Sequence, residues 1–275
     1  MIKKIGAALV AAWVSLAAHA QQAGDNVVTL GWFHVAPQQS STALTTNVAP
    51  TPINTPLRLP NSFTSAGTGL STNNADTAGL VTSHFFTDNI ALTTVAGVPP
   101  TFKVYGHGTI KPPGPAGALG IQNLGDPSAN PIINSVRQWS PAVLLQYYFG
   151  KATAKFRPYV GIGVSYNFFT NIQLNPAFIQ STQSNLGAVL AAGAGKPGTT
   201  TVSAKASSSW APVFNVGASY FFTKHWGMTA NVTYIPLKTT SSVIIKAADG
   251  TELSESQAEL KADPIITFVA VSYKF

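Results

Sequence analysis

Apolar and polar side chains alternate one by one along much of this chain, most clearly near its end. Over 265–275, Ile265, Thr267, Val269, Val271, Tyr273 and Phe275 share one face, and Ile266, Phe268, Ala270, Ser272 and Lys274 share the other. A period of two is the pattern of a β-strand. Further back, Trp139, Val143, Leu145, Tyr147 and Phe149 oppose Gln138, Ser140, Ala142, Leu144, Gln146 and Tyr148. Val160, Ile162, Val164, Tyr166 and Phe168 oppose Arg157, Tyr159, Gly161, Gly163, Ser165 and Asn167. Trp210, Phe214, Val216, Ala218, Tyr220 and Phe222 oppose Asn215, Gly217 and Ser219. Trp226, Met228, Ala230, Val232 and Tyr234 oppose Gly227, Thr229, Asn231 and Thr233. Strands are predicted over 25–35, 77–86, 89–98, 136–149, 156–169, 209–222, 226–238 and 264–275, the first three alternating less cleanly.

The connections alternate in length. Residues 36–76, 99–135, 170–208 and 239–263 are long, while 87–88, 150–155 and 223–225 are short. That rhythm fits an up-and-down barrel with short periplasmic turns, long external loops and both termini on the periplasmic side. The expected fold is all-β: an eight-stranded antiparallel transmembrane β-barrel over 21–275. The more apolar face of each strand is read as lipid-facing, with Trp139, Trp210, Trp226, Tyr147, Tyr220 and Phe222 in aromatic girdles near the strand ends.

Composition supports a wall that half faces lipid. Charged residues make up only 9% of the chain, against about 25% in ordinary soluble domains. Mean hydropathy is nevertheless only +0.18, because Thr, Ser, Asn and Gly fill the polar positions. The N-terminus reads as a Sec signal peptide over 1–20. Met1-Ile-Lys-Lys4 is the basic start, 5–17 the apolar run, and Ala18-His19-Ala20 the cleavage site, leaving Gln21 first. A helical anchor needs about 20 apolar residues, more than this run supplies. Export to the outer membrane of a Gram-negative bacterium is therefore expected. With no cysteine, neither a disulfide framework nor a thiolate metal site is available. The formal charge of +7 falls by two, to +5, without Lys3 and Lys4. No basic stripe interleaves with aromatics, so nucleic acid is not an expected partner.

The run Lys155-Phe-Arg-Pro-Tyr-Val-Gly161, with Tyr148-Phe-Gly150 before it and Tyr166 after it, resembles the OmpW family of small outer-membrane barrels. So do Thr87-Asp-Asn-Ile90, Trp139-Ser-Pro141, Trp226 and Asp263-Pro264. The loops at 36–76 and 99–135 look longer than is usual for that family. The resemblance implies a monomeric barrel that admits small hydrophobic molecules. Ending on Phe275 also resembles the closing strand of outer-membrane barrels, which implies an assembly signal read by the barrel-assembly machinery. Lipid, lipopolysaccharide and small hydrophobic solutes are the remaining expected partners. The alternative is a closed structural barrel whose loops contact phage, bacteriocin or host surfaces; an apolar upper lumen would favour transport. An eight-stranded barrel has room only for side chains or one small ligand.

Catalytic chemistry is not expected. The serines lie outside any G-x-S-x-G elbow, and His34, His84, His107 and His225 lack metal-like spacing. Glu252, Glu255 and Glu259 read as a solvated external cluster, and no cofactor or metal is expected. Arg157 and Tyr159 point inward with Gln146 and are expected to close the periplasmic half as a polar plug. Gln146, Tyr148, Asn167, Asn215 and the backbone are the anticipated partners of Arg157. Val95, Leu144, Thr233, Ile266 and Phe268 are the candidate lumen and constriction residues. Residues 175–195 read either as a short external helix or as a flexible loop. Val98-Pro99-Pro100 closes the third strand. Proline lacks the N–H a ladder uses, and lipid cannot replace it. Pro99 and Pro100 therefore mark a candidate lateral exit, unless they merely end the strand above the membrane.

Overall fold

The computed structural model describes residues 21–275; the expected signal segment, 1–20, lies outside the described residues. Eight strands form the wall: β1 Asn26–Ala36, β2 Ala75–Phe85, β3 Ile90–Gly97, β4 Ala142–Tyr148, β5 Phe156–Leu174, β6 Ser209–Phe221, β7 Trp226–Tyr234 and β8 Ile265–Lys274. Each pairs antiparallel with its sequence neighbours, and β8 closes onto β1 from Val27↔Lys274 to Ala36↔Ile265. The closed eight-stranded antiparallel barrel expected from the alternation is the fold. Closure leaves the wall without a free edge, as a bilayer demands.

The facing of β4 to β8 follows the sequence pattern. Val143, Leu145, Ile162, Val164, Val216 and Val269 stand exposed on the outside, while Leu144, Tyr159, Asn215 and Phe268 are buried inside. In β1, Leu30 and Trp32 face out and Val27, Thr29 and Val35 face in. Outward aromatics gather at two levels. Tyr147, Phe149, Phe156, Tyr220, Phe222 and Trp226 lie near the short turns, and Trp32, Trp139, Trp210 and Tyr234 near the opposite ends.

Four strands differ from their expected segments, β7 by ending at Tyr234 rather than at 238. β5 runs 19 residues, beyond the expected end at 169. The 136–149 segment is two strands, Ile133–Trp139 and β4, broken at Ser140-Pro141. β3 stops at Gly97, but the chain resumes as a strand over Thr101–His107. Each break falls at proline, which removes a ladder donor.

The long connections fold into a cap rather than remaining loops. Strands Leu44–Val48, Ser62–Ser65, Thr201–Ala206, Lys238–Lys246 and Glu252–Lys261 form a second antiparallel sheet. Its inner face carries Leu44, Ile245, Leu253, Ala258 and Leu260, all buried. Between them sit Ser, Thr, Gln and Glu, so the apolar count per strand is low and the alternation is easily missed. Residues 176–193 are helical, which settles the choice left open for 175–195. Asn175 Oδ1 accepts from Ala177 N at 2.9 Å, and Pro176 occupies the first turn, a well-formed helix start. Phe178, Leu186 and Ala191 anchor the helix in the cap core.

Candidate functional site

The barrel encloses a cavity of about 250 Å³ lined mostly by apolar side chains. Near the short-turn end of the barrel lies Arg157, whose side chain is fully buried. A buried guanidinium requires partners, and main-chain oxygens supply them. Its Nη1 donates to Gln21 O at 2.8 Å and its Nη2 to Asp88 O at 2.6 Å and Tyr148 O at 3.3 Å. Its Nε donates to Phe149 O at 3.4 Å, and the guanidinium lies 5.5 Å from the centre of the Tyr148 ring. The segment 21–25 lies across the floor. Gln21 Nε2 donates to Ser219 Oγ at 3.0 Å, and Asp25 pairs with Lys274 at 3.1 Å. Phe85, Tyr148, Tyr159 and Phe221 fill the space around it.

A ring of polar side chains sits one layer higher. Ser83 and Thr93 share a 2.7 Å bond, and Thr93 donates to Gln146 Oε1 at 2.7 Å. Gln146 Nε2 donates to Asn215 Oδ1 at 3.0 Å, and Asn215 Nδ2 to Thr233 Oγ1 at 2.7 Å. Thr233 and Asn231 continue the chain to the Tyr159 hydroxyl. Above the ring the lining turns apolar, with Val95, Leu144, Val213, Ile235, Ile266 and Phe268. Phe268 stacks on Phe33 at 4.1 Å between ring centres. That stack exists because residue 79 is glycine: a Cβ there would lie 1.8 Å from the Phe33 ring.

The cavity also reaches an interruption in the pairing of β2 with β3. Their ladder runs from Phe85↔Ala91 to Gly79↔Gly97 and resumes at Thr72↔Val104 in the same register. Pro99 and Pro100 occupy the interval. Val98 N still donates to Ala78 O at 3.0 Å; beyond it the prolines offer no N–H, and the links are Thr77 Oγ1 to Val98 O at 2.5 Å and Asn73 Oδ1 from Lys103 N at 2.6 Å. Pro141 interrupts β4 beside them. The cavity reaches this interval, bordered by Thr77, Ala78, Val98, Pro99, Pro100 and Trp139. Val98, which also borders the cavity, is 62% exposed. Trp139 belongs to the upper aromatic girdle, stacks on Phe168 and donates to Thr170 Oγ1 at 3.1 Å. The strand therefore resumes beyond the prolines, with Trp139 of the upper girdle beside the interval.

A model described as the OmpW family matches residues 22–275.

The chain belongs to the OmpW family.

It is 28% identical over 270 residues to outer membrane protein W of Vibrio cholerae, covering 98% of this chain and 97% of that one. It is 26% identical over 181 residues to the dibenzothiophene metabolism operon protein PahQ of Pseudomonas aeruginosa, covering 66% and 63%. The crystal structure of OprG from Pseudomonas aeruginosa superposes with a TM-score of 0.67 at 21% identity, covering 94% of this chain and 98% of that one. Membership makes this a Gram-negative outer-membrane barrel, with strands embedded in the bilayer.

Within this OmpW-family barrel, the five lumen residues read from the sequence all line one cavity, Val95, Leu144, Ile266 and Phe268 in its upper part and Thr233 in the ring. Arg157 and Tyr159 lie low in the barrel. Gln146, expected in the plug, stands in the ring above; Asn215 stands there too, and Asn167 lies far up β5, where its Nδ2 donates to Ser165 Oγ at 3.0 Å. Arg157 therefore relies on backbone rather than on these side chains, apart from the Tyr148 ring. His34 pairs with Asp76 at 2.7 Å and His84 with Asn26 at 2.9 Å, at opposite ends of neighbouring strands. Sequence reading missed Gln21, Phe33, Thr77 and Pro141 as parts of the site. Gln21 carries no pattern of its own, because its role comes from chain closure. Pro141 did carry a signal, since it breaks β4 as Pro99 and Pro100 break β3.

Proposed function

We propose that this barrel admits small hydrophobic molecules through the outer membrane and releases them sideways into the lipid. The continuity between the apolar upper lumen and the interval at Pro99 and Pro100 carries this reading. A solute descending the lumen meets the ring of Gln146, Asn215 and Thr233 and then the floor sealed by Arg157 and segment 21–25. An apolar molecule gains about 25 cal/mol per Å² of surface by leaving water, so the route into lipid is downhill and the route to the periplasm is not. Val95, Leu144, Ile266 and Phe268 act as the guiding wall, and Thr233 with its ring as the constriction. The apolar upper lumen favours this function over a closed structural barrel. The operon named in the PahQ relative supports a hydrocarbon-like solute.

Cells expressing the protein should take up a fluorescent naphthalene derivative faster than cells lacking it. Ala142→Trp, which fills the upper lumen, should abolish the increment while the barrel still migrates as folded on unheated gels. Equal uptake in all three strains would contradict the proposal.

A further inference from the structure

The polar ring beneath the apolar chamber is unbalanced in its protons. A primary amide offers two N–H donors and a phenol one O–H. Gln146 Nε2 spends one N–H on Asn215 Oδ1, and Asn231 Nδ2 spends one on the Tyr159 hydroxyl. Gln146 Oε1 already accepts twice, from Thr93 and from Tyr148 at 3.1 Å. The Tyr159 hydroxyl acts as acceptor for Asn231, so its own proton is not used in that bond. Among the described residues, these bonds leave one N–H on Gln146, one N–H on Asn231 and the O–H of Tyr159. All three residues border the same cavity. An unused buried donor is the costlier kind of vacancy, whereas an oxygen's second lone pair is more often left empty. The ring therefore offers donors to whatever stands on it, beneath walls that are hydrocarbon.

We propose that the lumen selects a small neutral molecule with an apolar body and a terminal hydrogen-bond acceptor, such as an aryl ketone, aldehyde or ester. Its carbonyl oxygen rests on Gln146, Asn231 and Tyr159, and its ring lies among Leu144, Val213 and Phe268. This rests on the solute-channel reading above and narrows it. Size agrees: an apolar cavity of about 150 Å³ takes benzene, and this lumen has about 250 Å³. A carboxylate is excluded because an anion placed in this enclosure needs a cation. The buried guanidinium of Arg157 is already committed to four main-chain oxygens. A protonated amine fails for the converse reason, since the ring presents donors to it.

The test compares acetophenone with α-methylstyrene, which has the same shape but a CH₂ in place of the oxygen. Binding is measured by equilibrium dialysis against the mature full-length protein in lipid nanodiscs, with empty nanodiscs subtracted. Acetophenone should bind about tenfold tighter, the size of one good hydrogen bond. Tyr159→Phe and Gln146→Met should each reduce that preference at least threefold and leave α-methylstyrene unchanged. Equal binding of the two probes would overturn the acceptor selectivity while leaving the channel intact. So would a preference that neither variant alters. Binding of neither probe would overturn both readings together. The wild-type comparison decides the matter even if one variant fails to assemble.

Discussion

Arg157 donates to the main-chain oxygen of Gln21 at 2.8 Å across 136 positions of sequence. The bond ties the start of the described chain to the first turn-side residues of β5 and makes the N-terminal segment part of the barrel floor. Removing the guanidinium would leave the oxygens of Gln21, Asp88, Tyr148 and Phe149 without this donor. Each buried acceptor left unpaired costs about 1–3 kcal/mol. Arg157→Ala should lose roughly 2–5 kcal/mol of stability and raise leak conductance in planar bilayers. A thermal melt in detergent and a conductance trace check the two effects. Wild-type values for both would mean that Arg157 does not seal the floor.

Closing the wall ends at the last residue. Phe275 N donates to Asn26 O at 2.9 Å, and its ring meets Tyr273 edge-on at 4.9 Å. Deleting Phe275 should leave the protein extractable by urea and without a heat-modifiable band. Normal membrane insertion of the shortened chain would contradict an assembly role.

Much of the barrel was legible because one wall faces lipid. In β4 to β8, strict alternation leaves Leu144 or Phe268 nowhere to go but inward. The cap was not legible. Lys238–Lys246 and Glu252–Lys261 bury Ile244, Ile245, Leu253, Ala258 and Leu260, and Ser, Thr, Gln and Glu fill most of the rest. A single sequence with few apolar residues per strand reads as loop. The break in β3 was half legible. Pro99 and Pro100 announced a break, but the resumption of the sheet at Thr72↔Val104 depends on pairing with a strand thirty residues away. The partners of Arg157 were not legible at all, because backbone oxygens carry no residue signature.

Gly79 keeps the upper lumen open by making room for Phe33 against Phe268. Gly79→Ala should push the Phe33 ring off that stack. Overpacking of this kind typically costs about 1–3 kcal/mol, and the displaced ring would narrow the path to the proposed lateral exit. A lower melting temperature together with slower probe uptake is expected. Unchanged values for both would show that the Phe33–Phe268 stack is not a wall of the path.

In the cap, Lys196 Nζ lies 2.6 Å from Asp249 Oδ2, and this bond with those from Thr251 holds the Asp249 carboxyl down at about 2. A carboxyl depressed on folding stabilises the fold above its unfolded value and loses that contribution as pH falls through the folded one. Hydrogen exchange at Gly250 and Thr251 should therefore be flat from neutral pH to about pH 4, after correction for intrinsic rates. It should then rise toward pH 2. Asp249→Asn should show the loosened exchange at every pH. A wild-type profile flat to pH 2 would remove Asp249 as a clamp on this turn.

The most direct measurement concerns the proposed lateral exit. The register that pairs Gly79 with Gly97 places Thr77 opposite Pro99, so Thr77→Cys with Pro99→Cys should staple β2 to the chain beyond β3 across the opening. Uptake of a fluorescent hydrophobic probe is then followed in one preparation, first oxidised and then reduced. Lateral release requires uptake to fall with the staple formed and to recover when it is broken. Uptake that stays at the wild-type rate with the staple fully formed would contradict it.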